Sequence, residues 1–577
     1  MMRYLRFAFF LCAILLSCSK EEIGISSIDN PYADRQVSVY GGVVTVGFVA
    51  DAAWTAELSL SDAGSWARIS KVQGNEASGA GKVQVNFSTN KSASERSAEL
   101  YVSVEGAPER IHIATFVQAA GENVSSLSSY LNSYMHERLV KEYLWAEEYA
   151  ALDIDMTVPY EDFLTKHLLK LDCNIEDGGI WRSNMPNSGQ RFIYTNIQDV
   201  TPVSVKAAQT GGLGFGPMFA SKLYDDVYGL SVAYVHDGSP AHKAGMRRGD
   251  TIYKVNGKVM TSDLYASYMN QLYASPSGSY TFEFIRDADV SKSYTASVSC
   301  ADYIYNPILF SAIISEKEHK IGYVVLENFD LYSQAFVADI VHQLKDAAIT
   351  DLILDLRFNP GGAVAQSRYL ASAIAGAANL DKTFVKVTFR DGRNQDWKFR
   401  GGPNDEDGLG IAPDLGLGRL YVIGSYGTAS ASELIINSLR GIDFPVMLIG
   451  GKTEGKNVGM TTTETTYNGR IYQFSPITFR VANAKGFGDY PDGFDPDIIV
   501  NNQNNSFSDD ADNLFPYSYG DWGDMHFNVA LRIAYEQIMG IPSEVPASSV
   551  VFDPHQAQER VLRPGCYGNI IYSEEYR

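Results

Sequence analysis

The sequence predicts a multidomain protein, with an all-β sandwich at the N-terminus, then a helical segment, a second β-rich module and an α/β core. Three observations support this fold class. The chain has 577 residues, which is too long for one hydrophobic core. Apolar and polar residues alternate between residues 28 and 120, whereas apolar runs alternate with helical patterns between residues 305 and 500. Hydrophobic residues make up 45% and charged residues 20%, which excludes a disordered or fibrous chain.

Charge and cysteine content exclude several classes of partner. The formal net charge is −21 and no cluster of Lys and Arg is long enough to follow a phosphate backbone, so we expect no nucleic-acid partner. After Cys18, only Cys173, Cys300 and Cys566 remain, and they form no C-x-x-C pair. The histidines are scattered and no H-E-x-x-H motif occurs. The sequence therefore predicts no disulfide framework, no metal site and no cofactor.

The first 18 residues have the pattern of an export signal. Arg3 and Arg6 precede an apolar run over residues 7–16, which is too short to span a bilayer. The run ends in Leu-Leu-Ser-Cys at residues 15–18, which resembles a bacterial lipobox. The resemblance implies that Cys18 is acylated and anchors an exported protein to the membrane of a bacterial cell envelope, at the outer membrane or cell surface. The alternative is a secreted protein in which Cys18 is incidental.

Residues 28–120 are predicted to form an immunoglobulin-like β-sandwich. Four runs with period-two alternation, including residues 83–87 and 100–104, are separated by turn residues. Together with Trp54 and Trp66, this region resembles a BACON module, an accessory domain of exported enzymes. The resemblance implies a glycan as a partner of this module, although core packing is the simpler explanation for both tryptophans.

Residues 125–200 are predicted to be a helical region that belongs to the core that follows. Aromatic and apolar residues, among them Tyr134, Tyr143, Phe163 and Leu168, recur at near-helical spacing. Such stripes normally pack onto a neighbouring domain, so we favour packing over an aromatic ligand site.

Residues 205–300 return to strands around one helix. The sequence S-P-A-x-x-A-G-x-x-x-G-D over residues 239–250 is followed by V-N-G at residues 255–257, and this order resembles a PDZ domain. The resemblance implies that a loop with free N–H groups binds the carboxylate at the C-terminus of a peptide or protein, while the next strand pairs with the peptide. The alternative is that the glycines of that loop serve turns only. The residues predicted to bind peptide are Gly212, Leu213, Gly214 and Phe215.

Residues 305–500 carry the α/β pattern and three motifs that follow predicted strands. The first, T-A-S-A-S-E over residues 428–433, places Ser430 between a strand and a helix, where helix-terminal N–H groups can stabilise an oxyanion. The same residues also fit a helix cap, with Ser430 as N-cap and Glu433 completing a capping box.

The other two motifs favour chemistry over a cap. D-L-R-F-N-P-G-G over residues 355–362 ends in a glycine pair whose N–H groups can supply a second oxyanion donor. G-K-T-E-G-K over residues 451–456 places a lysine after the next strand. Three strand ends in one sheet are the expected place for an α/β active site.

These motifs, in this order, resemble the carboxyl-terminal processing proteases, which are serine-lysine enzymes with a PDZ domain and a crotonase-like α/β core. The resemblance covers residues 205–500. It implies that Ser430 is the nucleophile, that Lys456 is the general base, and that peptides are the substrates. It further implies that Ala431, with Gly361 or Gly362, donates to the oxyanion.

Alternatives remain for each role. Ser432 competes as nucleophile and Lys452 as base, while a Ser/His/Asp triad needs a histidine that folding would have to bring in. Some family members have a glutamine four residues after the lysine, where this chain has Met460, so the lysine needs another supporting group. The candidates are Glu433 and Asp443. The competing function is a catalytically silent surface lipoprotein that binds peptide or glycan.

Residues 501–577 are treated as a C-terminal extension. They contain one predicted helix, over residues 527–539, and carry no motif that points to a function.

Overall fold

A computed structural model of the chain describes residues 25–539 and 570–573, with gaps. The gaps are 29–34, 38–41, 62–64, 74–78, 89, 91, 93, 120, 172–175, 181–190, 201–208, 225, 263, 266–267, 269–271, 273–277, 287–288, 290, 317–318, 331–332, 400–409, 501–516 and 522. Cys18 and the predicted signal peptide lie outside the described residues. Two compact units are present, Met1–Gly121 and Glu122–Arg577.

Two observations concern the described residues alone. Within these ranges, no helix is long and apolar enough to cross a membrane. In the same part of the chain, no group of three or more His, Cys, Asp or Glu side chains is placed to hold a metal ion.

The first unit consists of two four-stranded sheets that share one hydrophobic core. One sheet has the order β1-β3-β6-β5 and the other β2-β8-β7-β4. The strands are β1 Ile25–Ile28, β2 Arg35–Val37, β3 Gly42–Ala50, β4 Trp54–Leu60, β5 Ala67–Gln73, β6 Gly79–Phe87, β7 Arg96–Val104 and β8 Ile111–Gln118. The predicted β-rich region is confirmed, whereas its relation to BACON modules stays a prediction.

Both tryptophans of this unit are core residues. Trp54 is 4% exposed and Trp66 is 5% exposed, and both pack in the shared core. The ring of Trp54 lies so close to Gly81 that a Cβ there would come within 2.5 Å of it. The interpretation as packing residues is therefore correct, and any glycan would have to bind other side chains.

In the second unit, the predicted helical region packs on a β-sheet. Leu131, Met135 and Leu139 lie four residues apart on one face, are fully buried, and share a core cluster with strand residues Val458 and Phe474. This confirms that the apolar stripe is a packing surface. The elements are α1 Gly121–Glu142, α2 Ala146–Ala150, α3 Tyr160–Leu168, β9 Gly179–Ile180, β10 Arg191–Phe192 and β11 Asn196–Asp199.

The PDZ-like region forms a sheet with the order β13-β14-β15-β17-β18, in which β13 is an edge strand. A short helix, α4, covers its core, and a separate pair, β12 with β19, leads in and out of the region. The elements are β12 Gln209–Gly212, β13 Phe215–Tyr224, β14 Val227–Val235, α4 Pro240–Lys243, β15 Thr251–Val255, β16 Lys258–Val259, β17 Ser279–Ile285, β18 Ser293–Ser299 and β19 Ala301–Ile304.

The α/β core is built on a six-stranded sheet, β20-β21-β22-β26-β27-β31, that is parallel except at β20. Alternate residues of each strand enter two different clusters, as expected for a sheet buried on both faces. The elements are β20 Ile308–Glu316, β21 His319–Leu326, α5 Gln334–Asp346, β22 Asp351–Asp355, β23 Gly362–Ala363, α6 Val364–Ala375, β26 Leu420–Gly424, α7 Ala431–Gly441, β27 Val446–Gly450, β31 Ile498–Ile499 and α8 Met525–Met539.

Helix α8 lies after the predicted boundary at residue 500 and packs on the main sheet. Phe527 and Leu531 of this helix are buried against Ile353 and Tyr421 of the sheet, on the face opposite α5, α6 and α7. The predicted helix is confirmed, but the region after residue 500 contributes one layer of the core. It does so because the sheet would otherwise expose one apolar face to water.

A second sheet, β11-β29-β28-β30-β24-β25, lies beside the first, with β23 and β32 attached. Strand β28 follows the predicted lysine loop directly and packs against α1 through its first residues. The remaining elements are β24 Thr383–Phe389, β25 Asn394–Lys398, β28 Val458–Tyr467, β29 Arg470–Ser475, β30 Ile477–Ala482 and β32 Ile570–Ser573.

Candidate active site

Three loops meet where β22, β26 and β27 end. The strands are parallel neighbours, and their last residues are in register, with Asp355 opposite Ile423 and Gly424 opposite Gly450. The carboxyl ends of parallel strands therefore lie at one edge of the sheet, where α/β proteins place ligands. The three sequence motifs form the loops at this edge.

Ser430 has a backbone conformation that few residues adopt. It stands immediately before α7 with φ 60° and ψ −118°, a combination that costs a non-glycine residue about 1–3 kcal/mol. Its side chain is fully buried, and in the described part of the chain its Oγ has no hydrogen-bond partner. The predicted capping arrangement is present, since Ser430 is the N-cap of α7 and Glu433 accepts its backbone N–H, but the Oγ of Ser430 makes no cap hydrogen bond.

Glu433 holds two of the loops together with one carboxylate. Its Oε2 accepts the backbone N–H of Ser430 and of Lys456, both at 2.9 Å. Its Oε1 accepts the Thr453 hydroxyl at 2.6 Å and the Gly455 N–H at 2.8 Å. Burial raises the pKa of Glu433 to about 7, although these hydrogen bonds oppose the shift. The predicted supporting role for Glu433 is thus directed at the backbone of Lys456.

Lys456 is buried and lies on an aromatic ring. The residue is 1% exposed, and its Nζ lies 4.3 Å from the centre of the Tyr194 ring. Burial lowers the pKa of Lys456 to about 7, against the opposing charges of Asp177, Glu454 and Glu433. A substantial fraction of its amine is therefore neutral at neutral pH, as a general base requires.

The three predicted oxyanion donors differ in whether their N–H groups already have an acceptor. Ala431 is the first residue of α7, so its N–H has no acceptor within the helix. Gly361 lies against Ser430, since a Cβ on it would come within 2.7 Å of the serine Cβ. However, the N–H of Gly361 donates to Asn359 Oδ1 at 2.9 Å, so this donor is already used. Ala431 and Gly362 remain as the candidate pair.

Asn359 was not assigned a role from the sequence, yet it joins two loops of the site. Its carbonyl accepts the Ala429 N–H at 3.1 Å and the Ser432 hydroxyl at 3.1 Å. Its amide donates to the carbonyl of Leu326 at 3.1 Å. Because the hydroxyl of Ser432 is engaged in this structural bond, Ser432 is a poor competitor for the role of nucleophile.

A buried ionic network fixes the loop after β22. Arg357 is 1% exposed, and its guanidinium donates to the carboxylates of Asp355 and Asp524 at 2.6–3.1 Å. Its carbonyl accepts the Ser425 hydroxyl at 2.5 Å. Paired charges and bidentate geometry make this arrangement stable in a dry interior. The network ties α8 to the loop that carries the oxyanion candidates.

The other candidates for supporting or replacing Lys456 are at the surface or apolar. The side chain of Lys452 is 39% exposed and lies 3.3 Å from Asp495. Asp443, proposed as a support, is 81% exposed in its side chain and pairs with Lys485. This proposal was wrong because sequence proximity to the motif does not fix the direction of a side chain. Met460 is fully buried in an apolar cluster.

Two of the four residues that act on the amine of Lys456 come from outside the motifs. Tyr194 and Asp177 belong to the region before the PDZ-like module, more than 250 residues earlier in the chain. They stand in no local pattern that suggests chemistry, so sequence reasoning missed them. Glu454 lies inside the lysine motif itself and was also missed.

The predicted peptide-binding loop lies between β12 and β13. The carbonyl of Leu213 accepts the Ala241 N–H at 2.9 Å, and the carbonyl of Gly214 accepts the His236 N–H at 2.9 Å. Gly214 has φ +83°, and a Cβ there would come within 2.2 Å of Ser239 Cβ. The glycine thus serves the turn, and the loop leads directly into edge strand β13.

Comparison with known proteins agrees with this architecture. Residues 320–500 match the model of peptidase family S41, and residues 231–269 match that of a PDZ domain. A "Probable CtpA-like serine protease" of Staphylococcus aureus (strain N315) is 25% identical over 267 residues, which cover 46% of this chain and 48% of the relative. The "Carboxyl-terminal-processing peptidase 3, chloroplastic" of Arabidopsis thaliana is 29% identical over 238 residues, which cover 40% of this chain and 43% of the relative.

The chain spans about half the length of the curated relatives it matches. A crystal structure of a Bacteroides fragilis NCTC 9343 protein described as an S41 protease covers 72% of this chain and 98% of its own, with a TM-score of 0.54 and 23% identity. At this identity the likeness speaks for the fold alone. Taken with the three loops, these findings support a CtpA-type family, because residues 320–500 are similar to peptidase family S41 and residues 231–269 to a PDZ domain.

Proposed function

We propose that the protein is a serine endopeptidase in which Ser430 is the nucleophile and Lys456 the general base. One observation carries this proposal. A single oxygen of the Glu433 carboxylate accepts the backbone N–H of both residues at 2.9 Å, so two residues from different loops are held at one point. The strained backbone of Ser430 and the low pKa of Lys456 are the properties that the two roles require.

The reaction follows from these positions. Neutral Lys456 accepts the proton of Ser430 as Oγ bonds to the carbonyl carbon of the peptide, and the N–H groups of Ala431 and Gly362 stabilise the oxyanion. Lys456 then returns the proton to the leaving amine as the C–N bond breaks, which leaves an acyl-enzyme. Water attacks the ester with Lys456 again as base, and the acid product leaves as Ser430 regains its proton.

The PDZ-like module is the proposed site of substrate selection. Strand β13 lies at the edge of its sheet and follows the Gly212–Phe215 loop, so an extended peptide can pair with it while loop N–H groups bind the terminal carboxylate. Proteins and peptides with free C-termini are therefore the proposed substrates.

Membrane anchoring belongs to the same proposal. The lipobox-like sequence ending at Cys18 would place the enzyme in the cell envelope of a bacterium. Mass spectrometry of the intact protein from membrane fractions tests this. An acylated N-terminal Cys18 is expected, and soluble protein cleaved at another position would contradict the anchor.

The proposed activity is tested by labelling with a serine-directed covalent probe, followed by peptide profiling. The wild-type protein should be labelled at Ser430 and should cleave peptides, whereas Ser430→Ala should do neither. Ser432→Ala is the matched control and should still be labelled. If the wild-type protein neither labels nor cleaves, the protein is a binding protein and the proposed activity is wrong.

A further inference from the structure

We propose that Tyr194 is a positioning residue for the general base, and that its ring face takes the place of the glutamine that some members of the resembled family have four residues after the lysine. This inference rests on the proposed function of Ser430 and Lys456. It deepens that function, because it assigns part of the catalytic site to the region before the PDZ domain.

The contact between the amine and the ring is direct. Nζ of Lys456 lies 4.3 Å from the centre of the Tyr194 ring, well inside the range of about 6 Å for a cation–π interaction. Tyr194 is 7% exposed, so water competes little with the ring. The ring face attracts the ammonium without requiring one N–H in a fixed direction.

The ring is held at its hydroxyl end and at its backbone. The Tyr194 hydroxyl donates to Glu454 Oε1 at 3.0 Å, and Glu454 lies two residues before Lys456. The backbone N–H of Tyr194 donates to Asp177 Oδ1 at 3.1 Å. A ring fixed at both ends loses little conformational entropy on contact with the lysine.

Asp177 is itself saturated with donors. Besides Tyr194, its carboxylate accepts the Thr195 N–H at 2.9 Å, the Thr195 hydroxyl at 2.6 Å and the Tyr143 hydroxyl at 2.7 Å. The Thr195 hydroxyl also accepts the N–H of Ile477 at 3.1 Å, which ties this segment to β30. The residues that support the base are therefore bonded to Tyr143, which follows α1, and to β30 of the second sheet.

The charges around Lys456 must be considered together with the ring, because both act on the charged form of its amine. Asp177, Glu454 and Glu433 all act on its amine, and Tyr426 lies near Tyr194. These carboxyl groups and the ring favour the charged lysine, whereas burial favours the neutral one. The charged form appears only when Lys456 has taken the proton of Ser430, so the ring stabilises the transition state more than the ground state.

Met460 makes such a substitute necessary. This side chain is buried in the apolar cluster that also contains Tyr194, and a thioether offers no strong hydrogen bond to an amine. The aromatic face is an uncharged group next to the amine that can stabilise its charge.

The test compares Tyr194→Leu with Tyr194→Phe, and uses Tyr421→Phe as a control. Tyr421 is also buried, at 1% exposure, but packs in a different cluster, on the α8 face of the main sheet. We expect Tyr194→Leu to lower kcat about 10- to 100-fold with little change in KM. It should also move the pH midpoint of kcat/KM to lower pH, because the charged lysine loses a stabilising contact. Tyr194→Phe keeps the ring, so its pH midpoint of kcat/KM should stay close to that of the wild type. Tyr421→Phe should resemble the wild type.

A loss of activity without a shift of the midpoint would assign Tyr194 a structural role and overturn the inference, as would wild-type kinetics in Tyr194→Leu. If Tyr194→Leu does not fold, trifluorophenylalanine at position 194 keeps the ring shape but weakens its negative face. The inference predicts the same acid shift there relative to Tyr194→Phe, and an unchanged midpoint would contradict it. Failure of the proposed function itself is distinguishable, because Ser430→Ala would then cleave as well as the wild type.

Discussion

Two lysines stand four residues apart in the loop after β27, and their surroundings are opposite. The side chain of Lys452 is 39% exposed and lies 3.3 Å from Asp495 at the surface. Lys456 is 1% exposed, contacts the ring of Tyr194, and has a pKa lowered to about 7 by burial. The residue type and the motif are the same in both cases. The comparison teaches that removal from water, rather than the lysine itself, makes a base available at neutral pH.

The two serines of the first motif repeat the contrast. The hydroxyl of Ser432 donates to the carbonyl of Asn359, and Ser432 is the second residue of α7. Ser430 is held in a strained conformation at the helix start, with a hydroxyl that makes no hydrogen bond within the described residues. In both pairs, the residue proposed to react is buried and has surroundings that the competing residue lacks.

The strongest test of the contrast between the two lysines is to replace each of them with arginine. Lys456→Arg keeps the charge but cannot accept a proton, because the guanidinium stays protonated. We expect kcat/KM to fall by roughly 10³-fold or more, close to the loss in Ser430→Ala, since the pair acts as a unit. Lys452→Arg should be nearly silent. Cleavage of a peptide substrate by Lys456→Arg at the wild-type rate would show that another group is the base.

Glu433→Gln tests whether the shared carboxylate creates the difference. One of its two oxygens becomes an NH₂ group, which faces N–H or O–H donors and loses two of the four hydrogen bonds. Each lost bond to a charged group costs about 1.5–3 kcal/mol. We expect a lower midpoint in urea unfolding of the core and a fall in kcat of roughly 10²-fold. Unchanged stability would mean that the carboxylate does not hold the two loops.

The PDZ-like module offers a second comparison with the active site. A change in peptide recognition by this module should alter binding without altering the pKa of Lys456. Amidation of a peptide's C-terminus removes a charge-assisted acceptor, which is worth about 1.5–3 kcal/mol per hydrogen bond. We expect KM to rise by about tenfold or more while kcat and the pH midpoint stay constant. Titration of acid and amide forms of one peptide into the Ser430→Ala protein measures the affinity directly. Equal affinities would defeat the assignment of the Gly212–Phe215 loop.

The smallest expected effect belongs to Lys452→Ala. An exposed ion pair contributes about 0–1 kcal/mol to stability, so removal of this side chain should change little. Peptide cleavage should stay within about twofold of the wild type. If this variant alone abolished cleavage, the assignment of the base would pass to Lys452 even if Ser430 proved to be the nucleophile.

Local patterns were sufficient to predict the main elements of the α/β core. The helical patterns predicted between apolar runs over residues 305–500 are observed, for example as the helices Ala431–Gly441 and Gln334–Asp346. The burial of Trp54 was also predictable, since a large ring in an alternating strand normally faces the core. These features depend on neighbours in sequence or on the general tendency of apolar groups to be buried.

The support of the base was not predictable, because it depends on contacts between distant segments. Asp443 lies near the motif in sequence but points to the surface, where it pairs with Lys485. Tyr194 lies far away in sequence but contacts the amine of Lys456. Likewise, the hydrogen bond from the Gly361 N–H to Asn359 Oδ1 depends on the side-chain conformation of Asn359, which a sequence motif does not specify.

The most direct test of the account is the pH dependence of kcat/KM for a peptide whose own charges do not titrate between pH 5 and 10. The account predicts a single rise with pH and a midpoint near 7, the pKa of buried Lys456, far below about 10.4 for a solvated lysine. Glu433 also has a pKa raised to about 7 by burial, so the midpoint is measured again in added organic solvent. Ionisation of a carboxylic acid creates charge and shifts to higher pH in such a solvent, whereas ionisation of an ammonium conserves charge and shifts little. A midpoint near 7 that stays in place supports Lys456 as the base, and a midpoint near 10 or one that moves upward would contradict it.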